Sequence, residues 1–181
     1  MPRKSITSTA IISIATVLVV FVAAIGLILA NNYKKNQNTP PASPLASQLI
    51  EVKARLTNPS GIDHPYAIDS VAALKQDLKI STLKGFDPQT QILVGLVTTA
   101  KPSTGYGAVL DKTTSQNNRV NIDYKITQPD PNQAYADVIT YPQLWVTINR
   151  TDLPAYSPLN FVFTNLTDGA TQTIAKELGG Q

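Results

Sequence analysis

The residues that could carry chemistry are few. The chain has a single histidine, His64, no cysteine, and only two glutamates, Glu51 and Glu177. A zinc-type site needs several His or Cys ligands, and a nucleophilic triad needs a histidine with placed partners. His64 lies in Ile62-Asp63-His64-Pro65, a turn sequence, and reads as a surface turn residue. Most aspartates, among them Asp69, Asp87, Asp130, Asp152 and Asp168, stand where turns and helix caps want them. The composition therefore points away from an enzyme, with no catalytic, cofactor-binding or metal residue to name.

What remains is Lys101–Gly107, KPSTGYG. Pro102 stiffens the turn, Ser103 and Thr104 can bond the local backbone, Gly105 tolerates dihedrals that other residues resist, and Tyr106 opens the next strand. Pro102, Ser103, Thr104, Gly105 and Tyr106 are thus expected to form either a well-made hairpin loop or a rigid loop presented to a partner, where rigidity lowers the ordering cost of binding.

The elements that position this loop follow from periodicity. Gln91 to Thr99 is an almost continuous apolar run and reads as a buried strand, and Gly105 to Thr113 leaves the loop as an alternating one. Further strands are expected at Gln48 to Leu56, Arg119 to Gln128, Ala134 to Thr140, Gln143 to Asn149 and Leu159 to Thr164, with a short extended piece at Pro65 to Ile68. Pro, Asn, Asp and Gly punctuate them. Asp69 to Lys79 reads as the one helix of this part, capped by Asp69 or Ser70, with Val71, Leu74 and Leu78 recurring at helical spacing. Phe86 is expected to plug the core from a loop, and Asp168 to Gln181 to be a short helix or a fraying tail. Two Asn-x-Thr triplets, at Asn149 and Asn165, read as strand-end turns. The fold class is α+β and mostly β: an antiparallel sandwich or barrel-like sheet with one short helix, over residues 48–178.

Charge and hydropathy divide the 181 residues further. Ile6 to Ala30 contains no charged residue, and about 20 apolar residues span the hydrocarbon core of a bilayer. This predicts a cytoplasmic tail at 1–5, a transmembrane signal anchor at 6–30 and an extracytoplasmic domain beyond it; cleavage after Ala24-Ile25-Gly26 is the alternative for the apolar segment. Residues 31–47, rich in Asn, Gln and Pro, predict a disordered linker. The net charge of +3 comes from the membrane flanks, because Arg3, Lys4, Lys34 and Lys35 fall among residues 1–35, which hold no acid. The rest carries eleven bases against twelve acids, scattered singly, which excludes a nucleic-acid partner.

Several of these strings together resemble a family. Tyr66-Ala67-Ile68, the helix after Asp69, Gly85-Phe86-Asp87, Gln91 to Val97, Lys101 to Tyr106, and Tyr141-Pro142 through Ile148 look like the C-terminal domain of PrcB-like protease complex subunits. The resemblance covers residues 64 to 155. It implies an exported, membrane-tethered accessory protein that associates with a secreted protease and has no activity of its own. The string Pro102 to Tyr106 also resembles the first inhibitory loop of chagasin-like cysteine protease inhibitors, which are immunoglobulin-like sandwiches. That likeness implies the alternative function, inhibition through the Lys101 to Gly107 loop.

Overall fold

The computed structural model describes residues 41–178. The tail at 1–5, the apolar span at 6–30 and most of the predicted linker lie outside them. Among the described residues no helix is long and apolar enough to cross a membrane.

Two sheets form. The first has the order β1-β5-β6-β8-β9: β1 Ser43–Pro44, β5 Gly107–Gln116, β6 Arg119–Thr127, β8 Leu159–Asn165 and β9 Thr171–Lys176. The second has the order β2-β7-β4-β3: β2 Gln48–Leu49, β7 Gln143–Asn149, β4 Gln91–Val97 and β3 His64–Ile68. One helix, α1 at Val71–Leu78, follows β3. The mostly β class with one short helix is as the sequence predicts.

β4 sits between β3 and β7 and is buried on both faces, which is why its sequence is apolar throughout and does not alternate. Ile92, Val94 and Leu96 share one core with Ile122, Phe161 and Phe163 of the other sheet. Leu93 and Val97 face the opposite way, into a second core closed by Leu74 and Leu78 of α1 and by Trp145. Each of these fully buried leucines contributes about 1.5–3 kcal/mol. Phe86 packs against this second core, as expected. Opposite Trp145 stands Gly95, where a Cβ would come within 1.9 Å of the indole ring, so only glycine fits.

α1 begins at Ser70, whose Oγ accepts the Ala73 N–H at 3.1 Å, a cap worth about 1 kcal/mol. Val71, assigned to its apolar face by spacing, is exposed; Leu74 and Leu78 bury the helix, with Ala73 packed partly buried against the same core.

Six expectations are corrected. β4 and β5 are not a hairpin: they belong to different sheets, and the segment between them crosses the sandwich. Ala134 to Thr140 forms no strand beyond a single bridge, Lys101 to Thr140, because its apolar side chains have no facing layer. Residues 168–178 are neither helix nor tail: β9 pairs antiparallel with β8 along six residues. Gln48 to Leu56 pairs as a strand only at Gln48–Leu49. The sheets are not wholly antiparallel either, since β6 and β8 run parallel. A parallel pair needs a long crossover, and here the chain makes it by passing through β7 of the other sheet. The folded unit also starts earlier than the predicted boundary at 48. It includes Ser43 and Pro44, paired with β5, and the buried Leu45, all within the stretch whose composition reads as linker.

Candidate functional site

The strand registers bring four connections to one end of the sandwich. Val97 pairs with both His64 and Gln143, Gly107 with Thr127, and Thr164 with Thr171. Residues 57–63, 98–106, 128–142 and 165–170 therefore gather there. Ser43 pairs with Ser115 at the other end of β5, eight residues or about 26 Å away. The folded unit thus receives its chain at one end and presents its longer loops at the opposite one.

All five predicted site residues lie at this loop end. Pro102 and Thr104 are exposed; Ser103, Gly105 and Tyr106 are half-buried. The loop that holds them is clamped to residues 136–140. Lys101 and Thr140 exchange both backbone bonds, at 2.8 and 2.9 Å. Thr104 N–H donates to the Ala136 carbonyl, and its Oγ1 accepts from the Ala136 N–H, both at 3.2 Å. The Thr140 hydroxyl donates to the Ser103 carbonyl at 2.7 Å. Gly105 has no positive φ, so its need for glycine is steric: a Cβ would stand 2.7 Å from Pro129 Cβ and 2.8 Å from the Tyr135 ring. The segment is one half of a two-loop structure whose second half is residues 128–142.

That second half was not identified as a site by sequence, which reads part of it as a strand. Asp130 closes its start, accepting from the backbone of Asn132 at 2.9 Å. Its tip leaves Val138 51% and Ile139 71% exposed. Ile62, on the neighbouring loop, is 59% exposed, and Leu166 on the fourth loop 43%. Two adjacent β-branched apolar side chains in water, on backbone already fixed by hydrogen bonds, are the signal that could have marked this loop.

Between the loops lies a cleft of about 260 Å³ lined by Asp63, Thr99, Lys101, Asn165, Asp168 and Gln172, among others. Asp63 accepts the Thr99 N–H at 2.9 Å with one carboxylate oxygen and the hydroxyl of buried Tyr124 with the other. Burial first, then the bond to Asp63 and the nearby negative charges of Asp63 and Asp168, push the Tyr124 hydroxyl far above its ordinary value. Asn58 adds a second tie, donating to the Val97 carbonyl at 3.0 Å. Asp63 and Asn58 are thus structural posts that hold the loop end together. His64 stands exposed at the start of β3, its ring edge-on to Tyr66 at 4.7 Å. Among the described residues no group of three or more His, Cys, Asp or Glu side chains could hold a metal ion.

Residues 92–149 match the sequence model of the PrcB C-terminal family. The match runs from β4 through β7 and so contains both of the mutually clamped loops. No curated protein and no solved structure matches the chain.

Proposed function

With residues 92–149 belonging to a PrcB-like domain, we propose that the chain is a non-catalytic accessory subunit of a protease complex, anchored in the membrane through residues 6–30 with its folded domain outside the cytoplasm. The partner is an exported protease or another envelope protein. It is engaged by the loop end, through Pro102, Thr104, Val138 and Ile139. One observation carries the reading: the family match spans the two clamped loops, and these expose adjacent apolar side chains on a backbone that needs no further ordering to bind.

The second reading, a cysteine protease inhibitor, rests on the same loop lying at a sandwich end beside others. It requires residues 102–105 to enter a protease cleft. The cover that Tyr135 and Pro129 lay over Gly105, and the bonding of Thr104 to Ala136 in both directions, favour the accessory role.

The test is co-purification of the full-length chain in mild detergent with the exported protease made by the same cell. Val138→Asp with Ile139→Asp is expected to lower recovery of the protease about tenfold or more while leaving the melting temperature unchanged, since both side chains are exposed. No co-purification, or recovery indifferent to the substitutions, overturns the proposal. Inhibition of a papain-type enzyme by the full-length chain, lost in Gly105→Trp, would establish the second reading instead.

A further inference from the structure

Residues 50–56, which run beside β7 toward the loop end, keep the alternation of a strand without the pairing of one. Ile50, Val52, Ala54 and Leu56 turn into the second core, while Glu51, Lys53 and Arg55 are exposed. The ladder with β7 stops just past Leu49: Ile50 N–H still donates to the Trp145 carbonyl at 3.1 Å, and after that only the Gln143 side-chain amide reaches back, to the Ala54 carbonyl at 3.2 Å. Among the described residues, the backbone N–H groups of 51–55 have no backbone acceptor. Backbone groups in that state are satisfied by water or by another strand.

Across from this segment runs the loop that follows α1, and no backbone hydrogen bond joins the two. A cleft of about 490 Å³ separates them, lined by Glu51, Lys53, Ile80, Thr82, Leu83 and Lys84. Its volume falls in the range of about 300–1,000 Å³ typical of binding clefts. Ile80 and Leu83 supply half-buried apolar surface. Lys53 and Lys84 outnumber the one acid, Glu51, which reaches Lys53 only at 3.9 Å between highly exposed side chains.

We propose that this slot takes up an extended, acidic segment of a partner protein by strand addition to residues 51–55, with an apolar side chain on Ile80 and Leu83 and carboxylates toward Lys53 and Lys84. Main-chain bonds to the unpaired edge supply affinity, and the alternation of apolar and acidic residues supplies register and selectivity. This slot shares no lining residue with the cleft between the loops and is tested independently of it.

The experiment uses the full-length chain in detergent and three fluorescent peptides: alternating valine and aspartate, alternating valine and lysine, and the acidic peptide with prolines at its central positions. Anisotropy should detect binding of the first alone, and hydrogen exchange should slow at residues 51–55 when it binds. Lys53→Glu with Lys84→Glu should weaken binding about tenfold or more at an unchanged melting temperature, while Val138→Asp with Ile139→Asp leaves it intact. Absence of binding, equal binding of the lysine or proline peptide, or protection elsewhere in the chain overturns the proposal. Protection of residues 51–55 that grows with protein concentration and without peptide overturns it in favour of a second copy of this chain.

Discussion

Asp63, in the turn before β3, and Tyr124, in β6 of the other sheet, are 61 residues apart in sequence, yet the tyrosine hydroxyl donates directly to the carboxylate. The same carboxylate also takes the Thr99 N–H, so one side chain ties the turn before β3, the start of the crossing loop and the interior of β6. Asp63→Ala should leave a buried hydroxyl and a backbone N–H without acceptors, at about 1–3 kcal/mol each. Asp63→Asn, which keeps one carbonyl oxygen and can still donate from its amide, should cost less than half as much. Thermal or chemical unfolding of the two variants checks the order. Equal losses would mean that the side chain acts through packing alone.

The same contact gives stability a pH dependence at the alkaline end. Tyr124 has a higher value folded than unfolded, where it stays near 10, so above that pH the unfolded chain gives up a proton that the native protein keeps. The contribution is complete below pH of about 10 and is lost as pH rises past it, at up to about 1.4 kcal/mol per pH unit for one such group. Tyr66, raised by burial and by the charge of Asp77, adds a shift of the same sign. Tyr124→Phe should therefore flatten the fall in stability between about pH 9.5 and about pH 11.5 without abolishing it. Denaturant midpoints across that window measure the slope; an unchanged slope would remove Tyr124 as its source.

How far the sequence discloses this fold depends on whether an element's partner is written into its own residues. β4 and β7 are legible because burial on both faces demands an almost continuous apolar run, Ile92 to Val97 and Leu144 to Ile148, in which Thr147 is the one polar side chain. Ala134 to Thr140 misleads because Tyr135, Val138 and Ile139 favour strands intrinsically, whereas pairing needs a ladder partner that the fold supplies only at Lys101. β9 turns only Ile174 of its apolar side chains toward the core, too little signal to oppose a helix or a tail; its conformation comes from β8. The turn residues of Lys101 to Gly107 suit a hairpin and a crossing between sheets equally, so their chemistry could not distinguish the two. The candidate loop was legible, but its clamp was not, since the bonds from Thr104 and Ser103 go to residues more than thirty positions away.

Gly105 offers a direct test of that clamp. An alanine there must push against Pro129 and the Tyr135 ring, with an expected loss of about 1–3 kcal/mol. If the ring is the obstacle, Gly105→Ala should cost less in a Tyr135→Ala background than in the native chain, a coupling of about 0.5–2 kcal/mol in a double-mutant cycle. Additive costs would mean that the alanine is resisted by Pro129 alone.

At the other end of the sandwich Arg150 does a comparable job with different chemistry. Its guanidinium donates to the Asp69 carbonyl at 2.7 Å and twice to the Pro88 carbonyl, at 3.1 and 3.3 Å, while its backbone N–H donates to Thr90 at 2.8 Å. One side chain thereby fixes the residue before the α1 cap and the loop that leads into β4. A lysine carries the charge but not the planar fork, so it cannot hold both carbonyls in this geometry. Arg150→Lys should cost about 1–3 kcal/mol and should speed hydrogen exchange at residues 69–74 and 87–91. Exchange at residues 98–106 and 136–140 should stay as it is, because their bonds lie at the opposite end of the strands. A uniform rise across both ends would show that Arg150 supports global stability without fastening this corner.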